Sequence, residues 1–182
     1  MIYLYKDLEK RGYSDYQIKK MVSNKQLYMI KKGVYSDKED FHYLEYIAKK
    51  HPNAIFTIET ACQCYGLLNR VILPYKVVTK QKDRKILDDN IKQIFMSDNL
   101  YSIGMKEVKY LGFDIKIYDL ERLLIEVVRN KKNLDFAVYQ EIINGYKKII
   151  KLINKDKLLS YISYFKDPKI EYRINKEIFK CI

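Results

Sequence analysis

The chain has 182 residues, 48% of them hydrophobic, with only six Gly and three Pro. That apolar content excludes a disordered chain, and the scarcity of Gly and Pro weighs against a loop-rich all-β fold. The net charge of +12 suits a polyanionic partner, but all but six of the 35 basic residues are Lys in a chain rich in Ile, Asn and Tyr, so a solvated lysine surface explains the same surplus.

Tyr3 to Arg11 reads as a short helix, with Leu4 and Leu8 spaced i, i+4, and Gly12 ends it. Ser14 is a helix N-cap, and Gln17 three residues on completes a capping box. This second helix runs to about Asn24 and buries Ile18, Met21 and Val22. Leu27 to Ile30 and Val34-Tyr35 have strand character around a Lys31-Lys32-Gly33 turn. The polar run 36–40 marks a boundary. Beyond it the spacing predicts a helix over 41–50, a short strand over 54–57 and a helix over 58–67. A strand interrupted by Pro74 follows over 71–80, then a charged loop over 81–90. Strands are expected at 91–96, 105–110 and 113–118, the last two joined by a Leu111-Gly112 turn. Helices are expected over 119–130, 134–151, 154–165 and 170–180. The fold class is therefore α+β: an N-terminal winged helix-turn-helix over 1–38, then a mixed α/β domain over 39–182 ending in a helical region.

A helix-turn-helix inserts its second helix into the major groove. Here that helix would present Tyr16, Gln17, Lys20 and Asn24 opposite its apolar stripe, with Lys19 and Lys25 beside them. Gln pairs bidentately with adenine, and Lys donates to guanine or phosphate. Ser14 and the helix N-terminus suit a phosphate. Lys31 and Lys32 form the tip of a basic wing. Residues 1–35 hold eight basic and three acidic residues, a net +5. Two structural alternatives stay open: Gln17 as the capping partner of Ser14 alone, and Lys19 and Lys20 as an ordinary solvated face. Tyr28 and Tyr35 are read as hairpin packing.

The run Gly12 to Tyr35, ending in Lys32-Gly33-Val34-Tyr35, resembles the N-terminal winged helix of the AbiEi family. These are antitoxins and transcriptional regulators of abortive-infection (type IV) toxin–antitoxin systems. Phe56-Thr57-Ile58-Glu59-Thr60-Ala61 with Tyr65-Gly66-Leu67 is similar to a second family segment. Tyr118-Asp119-Leu120-Glu121-Arg122 with Arg129 is similar to a third. Leu123 stands where the family often has Thr, and Glu126 near the usual Asp. Family members also commonly carry a further helix before the first one here. The resemblance implies a repressor that binds inverted repeats in its own promoter. It also implies a C-terminal domain that counters a nucleotidyltransferase toxin without stably binding it.

The remaining chemistry is sparse. Cys62, Cys64 and Cys181 give an odd count with one C-x-C pair, which does not suggest zinc and fits a reducing compartment. No signal peptide or membrane-spanning run is recognisable, so a cytoplasmic location is expected, with no membrane partner. His42 and His51 supply nucleophilic catalysis poorly, and His51 before Pro52 reads as surface loop. Glu121 and Arg122 read as surface or inter-helix salt bridges. No cofactor motif appears. Asp98 with Glu107-Val108-Lys109 is similar to a D…E-x-K nuclease pattern, which keeps a nucleic-acid-processing enzyme as the alternative. An RNA-binding module is the third reading.

Overall fold

A computed structural model describes residues 1–165 and 167–179. The protein is α+β, with two sheets, accompanying helices and a helical C-terminal region. It divides into two compact units: residues 1–54 with 109–115, and residues 55–108 with 116–179 of the described chain.

The first unit opens with β1 (Ile2–Leu4), α1 (Tyr5–Lys10), α2 (Asp15–Ser23), β2 (Tyr28–Lys31) and β3 (Val34–Ser36), followed by α3 (Tyr43–Lys50). Its strands form an antiparallel sheet in the order β1-β3-β2, with Ile2 opposite Ser36 and Leu4 opposite Val34. The start of the chain differs from the sequence expectation. Residues 2–4 are strand, because β3 offers them a complete ladder, and the helix begins only at Tyr5. A carboxylate oxygen of Asp7 accepts from the Leu4 N–H at 3.1 Å and closes that helix start. The core is Leu8, Ile18 and Leu27, packed with Tyr3, Tyr5, Met21, Val22 and Tyr35. This is the predicted apolar stripe of the second helix, set against the first helix and the hairpin. The unit also takes in α3, whose Glu45 accepts from the Ile2 N–H at 2.9 Å. His42 caps α3, its Nδ1 accepting from Leu44 N–H at 3.3 Å.

The second unit is built on β4 (Ile55–Phe56), α4 (Ile58–Cys64), β5 (Tyr75–Lys80), β6 (Ile91–Met96) and α5 (Asp98–Tyr101). The hairpin β7 (Met105–Tyr110) and β8 (Phe113–Tyr118) follows, its turn end, 109–115, being counted in the first unit. The sheet order is β6-β5-β4-β8-β7, mixed in sense: β4 runs antiparallel to β5 and parallel to β8, and β5 parallel to β6. The hairpin turns at Leu111 and Gly112, both with positive φ, as a two-residue turn requires. The helical region comprises α6 (Leu120–Arg129), α7 (Phe136–Lys148), α8 (Lys155–Ser163) and α9 (Lys169–Ile174), continued by a π-type turn Asn175–Phe179. Position 180, the expected end of the last helix, lies outside the described residues. Helix α6 is buried almost all round, Leu123, Leu124, Ile125, Val127 and Val128 being fully covered. A helix so enclosed must pair its own charged residues internally.

Candidate nucleic-acid interface

Helix α2 is held at both ends by its own backbone and caps. At its start Ser14 is extended, and the predicted box is complete. Ser14 N–H donates to Gln17 Oε1 at 2.7 Å, and Gln17 N–H donates to Ser14 Oγ at 3.3 Å. At its end the Gln26 N–H donates to Met21 O and the Lys25 N–H to Val22 O, the paired bonds of a Schellman motif. That motif puts Lys25 at φ +58, a conformation usually given to Gly. The end of α1 makes the same two bonds, with Gly12 at φ +88 in the corresponding place.

Between those caps Ile18 is buried and Met21 and Val22 half-buried, while Tyr16, Gln17, Lys19, Lys20 and Asn24 are exposed. Tyr16 is 74% exposed, far beyond what an aromatic ring needs for packing. Tyr16, Gln17, Lys20 and Asn24 fall within about a quarter-turn arc of an ideal helix. The structure thus gathers them on one open face, with Lys19 beside it and Ser14 and Lys25 at the two ends. Gln17 is engaged with Ser14, so its role as capping partner is realised through its amide oxygen. Asp15 adds a carboxylate in the first turn of α2, beside the Ser14 end. Its hydrogen bond pushes the Tyr5 hydroxyl up from its ordinary value.

Tyr5 is a residue the sequence reading missed. Its N–H donates to Gly33 O at 2.9 Å, at the hairpin turn, while its ring packs on the core that holds Ile18. One residue thereby joins the hairpin turn, α1 and the start of α2. No local pattern signals it, because its partners lie ten and 28 positions away. Gly33 takes φ +76 and shapes the turn. The two turn lysines behave differently. Both are exposed, but Lys31 ends β2 with its Nζ 5.6 Å from the ring centroid of Tyr46 on α3. Part of the Lys31 charge is thus directed toward its own fold. Met29, 60% exposed on β2, is a second surface residue absent from the expected set. Tyr28 and Tyr35 are half-buried in the hairpin.

The charged residues of the second unit sit in a different setting. Arg122 is fully buried. Its Nε donates to Glu126 Oε1 at 3.0 Å and its Nη1 to the Leu100 carbonyl at 2.8 Å, and the guanidinium lies 4.5 Å from the Tyr118 ring centroid. Glu121, also buried, accepts from Asn154 N–H at 2.9 Å and faces Lys157 on α8 at 3.4 Å. The expectation of a surface pair at Glu121 and Arg122 is therefore corrected; the inter-helix contact holds for Glu121 alone. Lys157 also meets Asp119 at 3.0 Å. Burial alone would lower this ammonium, but Asp119 and Glu121 hold it above its ordinary range. Glu59 and Lys76 form another buried ion pair.

Asp98 and Glu107 of the nuclease-like pattern pair with different lysines, Lys82 at 3.8 Å and Lys116 at 3.7 Å. Among the described residues no group of three or more His, Cys, Asp or Glu is placed to hold a metal. Burial pushes the Cys64 thiol up to about 12 and raises that of Cys62 strongly. Cys181 lies outside the described residues. Among those residues no helix is long and apolar enough to cross a membrane. Comparison with known proteins finds no family model that matches the chain and no curated protein that matches it.

Proposed function

We propose that the chain is a DNA-binding transcriptional repressor whose first unit reads duplex DNA as a winged helix-turn-helix. The observation that carries this reading is the β1–α1–α2–β2–β3 order with the sheet ordered β1-β3-β2, joined to the open polar face of α2. In this reading α2 is the recognition helix and β2–β3 the wing. Lys19, Lys20, Lys25 and Lys32 supply phosphate contacts, and Tyr16, Gln17 and Asn24 face the base edges. Met29 extends the wing surface. Inverted repeats are the natural operator for two copies of one reading helix.

The antitoxin role rests on the resemblance to the AbiEi family alone. It assigns the part of the chain after residue 38 to countering a nucleotidyltransferase toxin without stable binding.

A gel-shift with the DNA upstream of the chain's own gene tests the DNA-binding reading. The expected result is binding to inverted repeats without cleavage, weakening with salt at a log-log slope of about −0.9 per phosphate contact. Metal-dependent cutting abolished by Glu107→Ala would favour the nuclease reading instead. Co-expression with a nucleotidyltransferase encoded beside the chain's gene tests the antitoxin role, and unrelieved toxicity would sink it.

A further inference from the structure

This inference rests on the DNA-binding reading and names what one residue of that surface selects. A free glutamine pairs with adenine through both amide atoms, accepting from N6 and donating to N7. Gln17 is not free. The group facing its side chain at 2.7 Å is the Ser14 backbone N–H, which can only donate. The amide oxygen is therefore turned back to the capping box with one of its two lone pairs occupied, and Nε2 with its two hydrogens takes no part in the box. Releasing the oxygen would cost the cap its bond from the Ser14 N–H. Lys20, one turn further along the same exposed face, is also a donor only.

We propose that Gln17 is a specificity-determining residue that, with its oxygen held by the cap, meets the duplex through the Nε2 donor and selects guanine rather than adenine. Guanine presents two adjacent major-groove acceptors, O6 and N7, to the two hydrogens of Nε2. Adenine replaces one of them with the N6 amino group, a donor that opposes a donor. Thymine offers one acceptor, O4, and cytosine offers a donor. Lys20 favours the same acceptor-rich edge.

The test is selection of bound duplexes from a random pool by the full chain, comparing the natural protein with Gln17→Ala and Gln17→Glu. Glutamate keeps the box, since its carboxylate still accepts from Ser14 N–H, but the oxygen left over only accepts. The natural protein is expected to enrich guanine at one position. Gln17→Ala is expected to erase that preference and no other. Gln17→Glu should transfer it to cytosine and bind the original site about tenfold more weakly. Replacing the selected guanine by 7-deazaguanine should weaken the natural protein about tenfold and leave Gln17→Ala unchanged. An adenine preference erased by Gln17→Ala overturns this inference and leaves the DNA-binding reading standing. Unchanged base preferences in both variants do the same. The absence of any salt-sensitive duplex binding by the natural protein overturns both.

Discussion

Arg122 and Lys20 carry the same charge under opposite conditions. Arg122 has no exposed surface, and its guanidinium is held by Glu126, two backbone carbonyls and the Tyr118 and Phe165 rings. Lys20 stands exposed on α2 with Tyr16 and Gln17 close by along the helix. The same contrast separates Glu59, Lys76 and Glu121, all buried, from Lys19, Lys25 and Lys32, all exposed. A buried, paired charge is tied to its surroundings, because removing either partner strands the other in a low-dielectric interior. An exposed one contributes little to stability and is free for a polyanion. The net charge of the whole chain averages over these two uses and therefore says little about either.

The largest effect is expected where that contrast is broken from within. Arg122→Met should destabilise the protein by about 3–5 kcal/mol in denaturant unfolding, because Glu126 loses its buried partner. Arg122→Met with Glu126→Met should recover part of that loss, and a double mutant as unstable as the single would refute the explanation. Next in size is the converse experiment on the exposed side. Lys20→Ala with Lys32→Ala should leave stability within about 0.5 kcal/mol of the natural protein. The salt slope of DNA binding should nevertheless fall by about 1.8, two contacts' worth. An unchanged slope would show that the surface is wrongly assigned.

His42 lies between the two cases, half-buried with its ring 5.4 Å from that of Phe113. Burial lowers its proton affinity below the ordinary value of 6.5, partly opposed by Glu45. The unfolded chain therefore takes up the proton first as pH falls. Stability should be undiminished above about pH 6.5 and decline below it, until the folded form is protonated as well. His42→Asn, which can cap α3 but not titrate, should flatten that decline in unfolding curves taken from pH 8 down to about pH 5. The smallest effect concerns Lys25. Lys25→Gly should stabilise the protein by up to about 1 kcal/mol, because φ +58 suits Gly. In the same variant DNA affinity should drop by one phosphate contact. A gain in stability with unchanged affinity would make Lys25 a helix terminus and nothing more.

What the sequence revealed follows the range of the interactions involved. The capping box of α2, its apolar stripe and the hairpin around Gly33 are local, and each stands where spacing placed it. The strand at residues 2–4 was hidden because its partner residues on β3 lie 30 to 34 positions away, and Leu4 and Leu8 imitate a helical repeat. Burial of Glu121 and Arg122 was hidden for a related reason. Charged residues in a helix read as a solvated face unless the elements that cover them are known. Within the candidate surface, the exposure of Tyr16, Lys20 and Asn24 followed from the stripe opposite them. The turn of Lys31 toward Tyr46 did not, since it depends on where α3 packs. Tyr5 escaped notice because its backbone link to Gly33 leaves no trace in residue type.

The bond that fixes the Gln17 amide begins at a main-chain N–H rather than at a side chain. Substitutions at position 14 alter the serine hydroxyl but keep that N–H; only proline abolishes it, and φ −77 there is within proline's range. The orientation of Gln17 is thus buffered against most mutations of its own partner. Drift at position 14 would wear away helix stability long before it freed the Gln17 amide. An abrupt release of that amide would be confined to substitution by proline.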